Sequence, residues 1–279
     1  MFALLISVIV SAAAVIACIV YHVGLGGEIF WGLAGFLVPQ FLIGFIVRKK
    51  ITAVQNELQE KLVNGQKQMT RKIQLFQTKP GGNIKQIQRQ LEGDQKALIT
   101  ESLAFTKRFE PFKKWTLMMG RQIATMRLQF HYQLKDFEAV DKLLATGGLF
   151  TGPMMMEPMV IAMKIARQYK NGDVAGAEKT FKSRVKWMRG NRGTLLYGLM
   201  SWIYMQQGES EKARLLLVKA KDITSDETLA ANWELLANNK DKQFSNAGLG
   251  EEWYGLYLEA PPLPKQQRMH GNAHGGRRF

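Results

Sequence analysis

The chain has 279 residues, 46% of them hydrophobic, and a net charge of +15, enough apolar material for one or two domains with a real core. The positive surplus suits an anionic partner such as lipid headgroups, nucleic acid or an acidic protein, or the cytoplasmic side of a membrane protein, where Lys and Arg collect for topological reasons. A single cysteine, Cys18, excludes an intramolecular disulfide and a cysteine-based zinc site, and the four histidines, His22, His131, His270 and His274, share no helical face with further ligands.

Residues 1–47 read as a transmembrane helical hairpin. The uncharged runs 2–20 and 29–47 are each 19 residues long, about what a helix rising 1.5 Å per residue needs to cross ~30 Å of hydrocarbon. Tyr21, His22 and Trp31 flank the glycine-rich connection, at the level where amphipathic rings settle. The connection holds no Lys or Arg, whereas the second run ends in Arg48-Lys49-Lys50. The positive-inside rule therefore puts both termini in the cytoplasm, and the absence of eukaryotic sorting signals points to a bacterial inner membrane. "VIAC" (Val15–Cys18) loosely matches a lipoprotein cleavage box, but the basic start of an export signal is missing and a second span would be left over. Ser7 and Ser11, and Ala13 and Ala17, have the four-residue spacing of small residues at a helix crossing. Pro39 and Gln40 fall mid-span, where Gln40 is expected to bond within its own hairpin.

Residues 48–110 read as a basic helical stalk. Ile51, Val54, Leu58 and Leu62 form one apolar stripe, which Asn64-Gly65 is expected to end or bend. Bases far outnumber Glu57 and Glu60 between Arg48 and Lys79, and each base near an anionic leaflet is worth ~1 kcal/mol of attraction; Arg48, Lys49 and Lys50 are the candidate lipid-facing cations. "TKPGGN" (Thr78–Asn83) is a loop without the Lys-Ser or Lys-Thr of a phosphate loop. Pro111 suits the first turn of a following helix.

From about 111 to 259 the chain repeats itself. Tyr204, Gly208, Ala213 and Leu217 align with Gln168, Gly172, Ala177 and Phe181, and these with His131, Lys135, Val140 and Leu144, at offsets of 36 and 37 residues. The turns read "KDFEAV", "GDVAGA" and "GESEKA", each between helix-period runs. The pattern resembles the tetratricopeptide repeat family, with Tyr197, Met200, Ser201, Tyr204, Ala213 and Leu217 matching in the third copy and Ser225 where proline is usual. Leu128 and Ile165 stand where the family has glycine. Phe244 and Ala247 suggest a degenerate fourth copy, with Thr224 and Glu227 at capping-box spacing before it. The expected fold class is all-α: a transmembrane helical hairpin, a stalk, then a tetratricopeptide-like solenoid of three to four helix pairs; a non-repeat helical bundle is the alternative. Residues 260–279 are a basic, Pro- and Gly-rich tail expected to be disordered.

The resemblance implies a concave surface lined by the first helix of each pair. Its positions here are Gln129, Tyr132 and Gln133, then Ala166, Tyr169 and Lys170, then Trp202, Met205 and Gln206. Aromatics beside amides suit a peptide groove, although Tyr132, Tyr169 and Trp202 could equally be packed between hairpins. No Ser-His-Asp set, metal motif or dinucleotide glycine pattern occurs, so the expected function is a membrane-anchored adaptor that binds protein partners, without catalysis or cofactor. Anionic lipid is the alternative partner. Nucleic acid, through "KWMRGNRG" (Lys186–Gly193) with Lys265, Arg268, Arg277 and Arg278, is disfavoured and would show steep salt dependence.

Overall fold

The computed structural model describes residues 2–77, 84–147 and 151–261. Among them every regular element is helical. Thr78–Asn83, and the expected tail beyond residue 261 with Lys265, Arg268, His270, His274, Arg277 and Arg278, lie outside the described residues. The chain forms two compact units, Met1–Trp187 and Met188–Phe279.

The first unit opens with α1 (Phe2–Val20) and α2 (Leu25–Gln77). Both are long and apolar enough to cross a membrane. They pack antiparallel, and the seam is built from small residues. The Ser7 hydroxyl shares its proton between the Ala3 carbonyl (2.8 Å) and Gln40 Oε1 (3.1 Å), and the Ser11 hydroxyl donates to the Gly32 carbonyl at 2.8 Å. A Cβ on Gly35 would stand 3.2 Å from Ser11 Cα and Ala14 Cβ, so the backbones approach as small-residue crossings allow. Ala13 and Ala17, expected at this seam, face outward; Ala14 holds the position. The turn between the helices is capped by His22 at φ 54°, not by a glycine.

Helix α2 runs unbroken through Asn64-Gly65 for 53 residues, ~80 Å at 1.5 Å per residue. The expected break is absent because Gly65 serves a crossing: its Cβ would fall 2.5 Å from Leu98 Cδ2 on α3 (Ile84–Phe105). Helix α3 runs back along α2, with ion pairs Lys72–Asp94 (2.5 Å), Lys61–Glu101 and Glu57–Arg108 marking the antiparallel register. The stripe Ile51, Val54, Leu58 and Leu62 packs into one cluster with Ile99, Phe109, Met119 and Ile123. Pro111 lies inside a 3-10 stretch, Thr106–Lys114, and the next α-helix begins only at Met119.

Two helical pairs complete this unit: α4 (Met119–Gln133) with α5 (Phe137–Ala145), and α6 (Pro158–Lys170) with α7 (Val174–Val185). Arg167 forks onto Asp141 (Nε to Oδ1 2.9 Å, Nη2 to Oδ2 2.7 Å) and lies 4.6 Å from the Phe137 ring centroid, joining α6 to α5. Thr125 Oγ1 accepts from the Met154 N–H at 2.8 Å, anchoring the connection before α6 onto α4. The guanidinium of Arg167 beside Asp141 holds that carboxyl below the ordinary aspartate range.

In the second unit, α8 (Thr194–Gln206), α9 (Ser210–Thr224) and α10 (Glu227–Ala237) pack in sequence. Ser201 and Ala213 are fully buried, and the Ser201 hydroxyl is turned back onto the Gly198 carbonyl at 2.9 Å. Helix α10 is capped by Asp226, which accepts from the Leu229 N–H at 3.0 Å. Thr224 instead ends α9, donating to the Ala220 carbonyl, so the expected capping box does not form. After α10 there is no second long helix among the described residues. Short 3-10 turns at Asp241–Gln243 and Ala247–Leu249 lead to the one-turn α11 (Glu251–Tyr254).

Three helix ends share one geometry. In each, a left-handed residue (Lys135, Gly172 or Gly208, φ 58°, 80° and 75°) terminates the helix. Its N–H bonds three residues back, to Tyr132, Tyr169 or Met205, and the next N–H five back, to His131, Gln168 or Tyr204. This is the Schellman termination, which satisfies the last carbonyls and reverses the chain. Asn239 and His22 end α10 and α1 in the same way.

The packing is testable at two positions. Gly65→Leu is expected to destabilise the α2/α3 pair by about 1–3 kcal/mol through overpacking against Leu98, read as a lower Tm of the detergent-solubilised chain. Asp141→Asn should lower stability at pH 7 by roughly 1 kcal/mol or less, because the pair is partly exposed. The Asp141 carboxyl is lowered in the folded state, so its contribution is present above the unfolded value near 3.9 and is lost as pH falls through the lowered folded one. The gap between wild type and variant in a pH series should therefore close in acid and stay constant at neutral pH.

Candidate functional site: the paired helices and a groove at the foot of the apolar hairpin

The residues expected to line a protein-binding surface take graded positions. Gln133, Lys170 and Gln206, equivalent by sequence offset, are all exposed. One step inward, Tyr169 and Met205 are half-buried, but Tyr132 is 1% exposed. Its ring meets Phe137 edge-on at 5.5 Å, so it belongs to the α4/α5 seam. Gln129 is half-buried, within 3.4 Å of Glu157 Oε2, and Ala166 is buried. Trp202 is 6% exposed. These residues fall in different units: Gln129 to Lys170 belong to the first, Trp202, Met205 and Gln206 to the second.

What holds Trp202 was not legible from the repeat offsets. Its Nε1–H donates to Glu259 Oε1 at 2.6 Å, and the Trp253 Nε1–H donates to Glu259 Oε2 at 2.8 Å. The two indoles meet edge-on at 5.7 Å. One carboxyl group thus satisfies two buried indole donors and pins the end of the described chain onto α8. Beside it, Asn246 donates to the Gly198 carbonyl at 2.7 Å and accepts from Asn232 at 3.0 Å. A Cβ on Gly198 would come within 2.5 Å of Leu249. This polar and close-packed face of α8 serves folding.

A second feature lies in the first unit, where α1 and α2 meet the segment between the 3-10 stretch and α4. A groove of about 770 Å³ opens there. Leu4, Phe41 and Phe45 line it toward the apolar run, with Gln40 among them; Arg48, Thr52, Gln55 and Gln122 line it beyond, interspersed with Ile51 and Met119. Trp115, also on its wall, meets Phe2 edge-on at 5.7 Å. Gly44, one of its lining residues, leaves the α2 surface bare there: beyond its own stretch of helix, no atom among the described residues lies within 4 Å of where its Cβ would be. Arg48 makes no ion pair or hydrogen bond among the described residues. Lys49 and Lys50 are exposed and do not line the groove.

Among the described residues no group of three or more His, Cys, Asp or Glu side chains is placed to hold a metal ion. Cys18 is buried in α1, as a small packing residue would be. No family model, curated protein or solved structure matches this chain.

Glu259→Ala should cost the second unit about 2 kcal/mol, since two buried indole N–H groups lose their acceptor. Glu259→Gln, which offers one good acceptor, should cost less. Chemical denaturation followed by tryptophan emission checks the order; equal stabilities of wild type and Glu259→Ala would show that the clamp contributes nothing.

Proposed function

We propose that this chain is a membrane-anchored helical adaptor: an α1/α2 hairpin spanning the bilayer, both termini in the cytoplasm, and a tetratricopeptide-like array that holds protein partners near the membrane. The observation that carries the anchor is the exposed apolar side of the hairpin, including Leu5, Ile9 and Val20 on α1 and Phe41 and Phe45 on α2. Water would strongly disfavour such a surface and hydrocarbon accepts it. Backbone polar groups within the pair are satisfied by helical bonds, as a span requires. Arg48-Lys49-Lys50 directly after the second apolar run supports a cytoplasmic placement for the remainder of the chain, with a bacterial inner membrane as the proposed location.

Support for the array comes from the three Schellman turns at Lys135, Gly172 and Gly208, with buried Val140, Ala177 and Ala213 at matching places after them. Such units cannot bury their apolar faces singly and gain stability by stacking. The exposed Gln133, Lys170 and Gln206 are the residues assigned to partner contact, with Tyr169 and Met205 behind them. Tyr132 and Trp202 act as packing supports.

Topology is tested in a Cys18→Ser background by adding Gly24→Cys or Lys240→Cys, both at exposed positions. An impermeant maleimide should label the first in intact cells and the second only after permeabilisation. Labelling of Lys240→Cys in intact cells would reverse the orientation, and extraction of the wild type by alkaline carbonate would remove the anchor. For the adaptor role, proteins co-purifying with wild type should be lost from a Gln133→Arg/Lys170→Glu/Gln206→Arg variant and retained by Lys179→Glu, an exposed control.

A further inference from the structure

We infer that the groove at the foot of the hairpin is a binding site for one anionic phospholipid of the adjoining leaflet, its acyl chain along Phe41, Gly44 and Phe45 and its phosphate at Arg48. The inference rests on the membrane-spanning reading of α1 and α2. Three observations select this occupant. First, the groove is graded: its apolar wall is continuous with the exposed side of the second apolar run, where Phe41 and Phe45 are 78% and 69% exposed, and, apart from Gln40, whose Oε1 accepts from Ser7, its polar lining on α2 begins at Arg48. A phospholipid has the same gradient, at the same depth. Secondly, Arg48 lines the groove without an ion-pair partner among the described residues. A guanidinium presents a planar fork that matches phosphate oxygens, and the Thr52, Gln55 and Gln122 side chains around it supply further polar groups to a headgroup.

Thirdly, Gly44 has no packing reason to be glycine. Glycine inside a helix is destabilising relative to alanine, yet beyond its own stretch of helix no atom among the described residues lies within 4 Å of where a Cβ would stand. At Gly35 and Gly65, by contrast, the partner helix explains the missing side chain; Gly26 and Gly93 are as bare as Gly44, but only Gly44 lines the groove. Gly44 lines the groove, and a side chain there would narrow it. The volume of about 770 Å³ falls within the ~300–1,000 Å³ of small-molecule sites. Trp115 on the opposite wall is an amphipathic ring of the kind that settles at the headgroup level.

The test is native mass spectrometry of the full chain, released from mixed micelles containing phosphatidylglycerol and phosphatidylcholine. Wild type should retain one phosphatidylglycerol in preference to phosphatidylcholine. Arg48→Gln should lower that retention about tenfold, the loss expected for a hydrogen bond to a charged group, whereas Lys49→Gln/Lys50→Gln should lower it less than Arg48→Gln does. Gly44→Leu should lower retention of both lipids, with circular dichroism matching wild type. Equal losses from Arg48 and from the Lys49/Lys50 pair would reduce the effect to diffuse charge attraction and overturn the site. So would unchanged retention in Gly44→Leu and Arg48→Gln, or equal retention of the two lipids. Alkaline carbonate extraction of the wild type separates the two levels: a chain released by carbonate defeats the membrane reading, whereas a chain that stays in the membrane but shows any of the overturning patterns defeats the lipid site alone.

Discussion

The rest of the molecule depends on the continuity of one helix. An α-helix satisfies its own backbone wherever it runs, in oil or in water, so α2 can change its surroundings without changing its conformation. Its first half is an apolar rod paired with α1; its second half carries the charged register with α3 and the stripe Ile51–Leu62. Because no loop intervenes at Arg48, the hairpin and the helical cluster around Phe109 and Ile123 are covalently coupled through rigid secondary structure. The groove exists at this junction because α2 passes from one set of neighbours to another and leaves Gly44 facing neither.

Polar groups in closed places are handled by a small number of devices used repeatedly. Helix ends are closed by left-handed residues whose next N–H groups reach back to the last carbonyls, at His22, Lys135, Gly172, Gly208 and Asn239. Starts are closed by aspartates: Asp136, Asp173 and Asp226 each accept an N–H three residues on. Where no long helix follows α10 among the described residues, side chains take over the same work. Asn232 accepts from the Ser245 N–H, Asn246 donates to the Gly198 carbonyl, and Glu259 accepts from both indoles.

The two apolar helices, the stripe on the proximal part of α2, the place of Ser7 and Ser11 at the crossing and a bond from Gln40 within its hairpin were legible because they arise from local spacing and from the cost of a lone polar group in an apolar segment; that Ser7 is the partner of Gln40 was not. The turns at Gly172 and Gly208 were legible from glycine, whereas His22, Lys135 and Asn239 adopt the same conformation without that signal. Gly65 was misleading: in sequence it marks a helix break, and only the partner Leu98, remote along the chain, turns it into a crossing point. The clamp on Trp202 and the groove were invisible for the same reason. Glu259 is 57 residues from Trp202, and the groove walls come from α1, α2 and the approach to α4, so no local pattern announces either.

On the proposed membrane-spanning reading of α1 and α2, the bond between Ser7 and Gln40 also bears on biogenesis. A glutamine amide entering hydrocarbon on an isolated second helix would face lipid with no partner, a penalty that counts against lateral release from a translocon. The first helix carries the hydroxyl for that amide, and a second one, on Ser11, for the Gly32 carbonyl. If the proposed spans hold, the two segments are better substrates for insertion as a preassembled pair than one after the other. The order of synthesis favours this, since the stretch that supplies the hydroxyls emerges from the ribosome first.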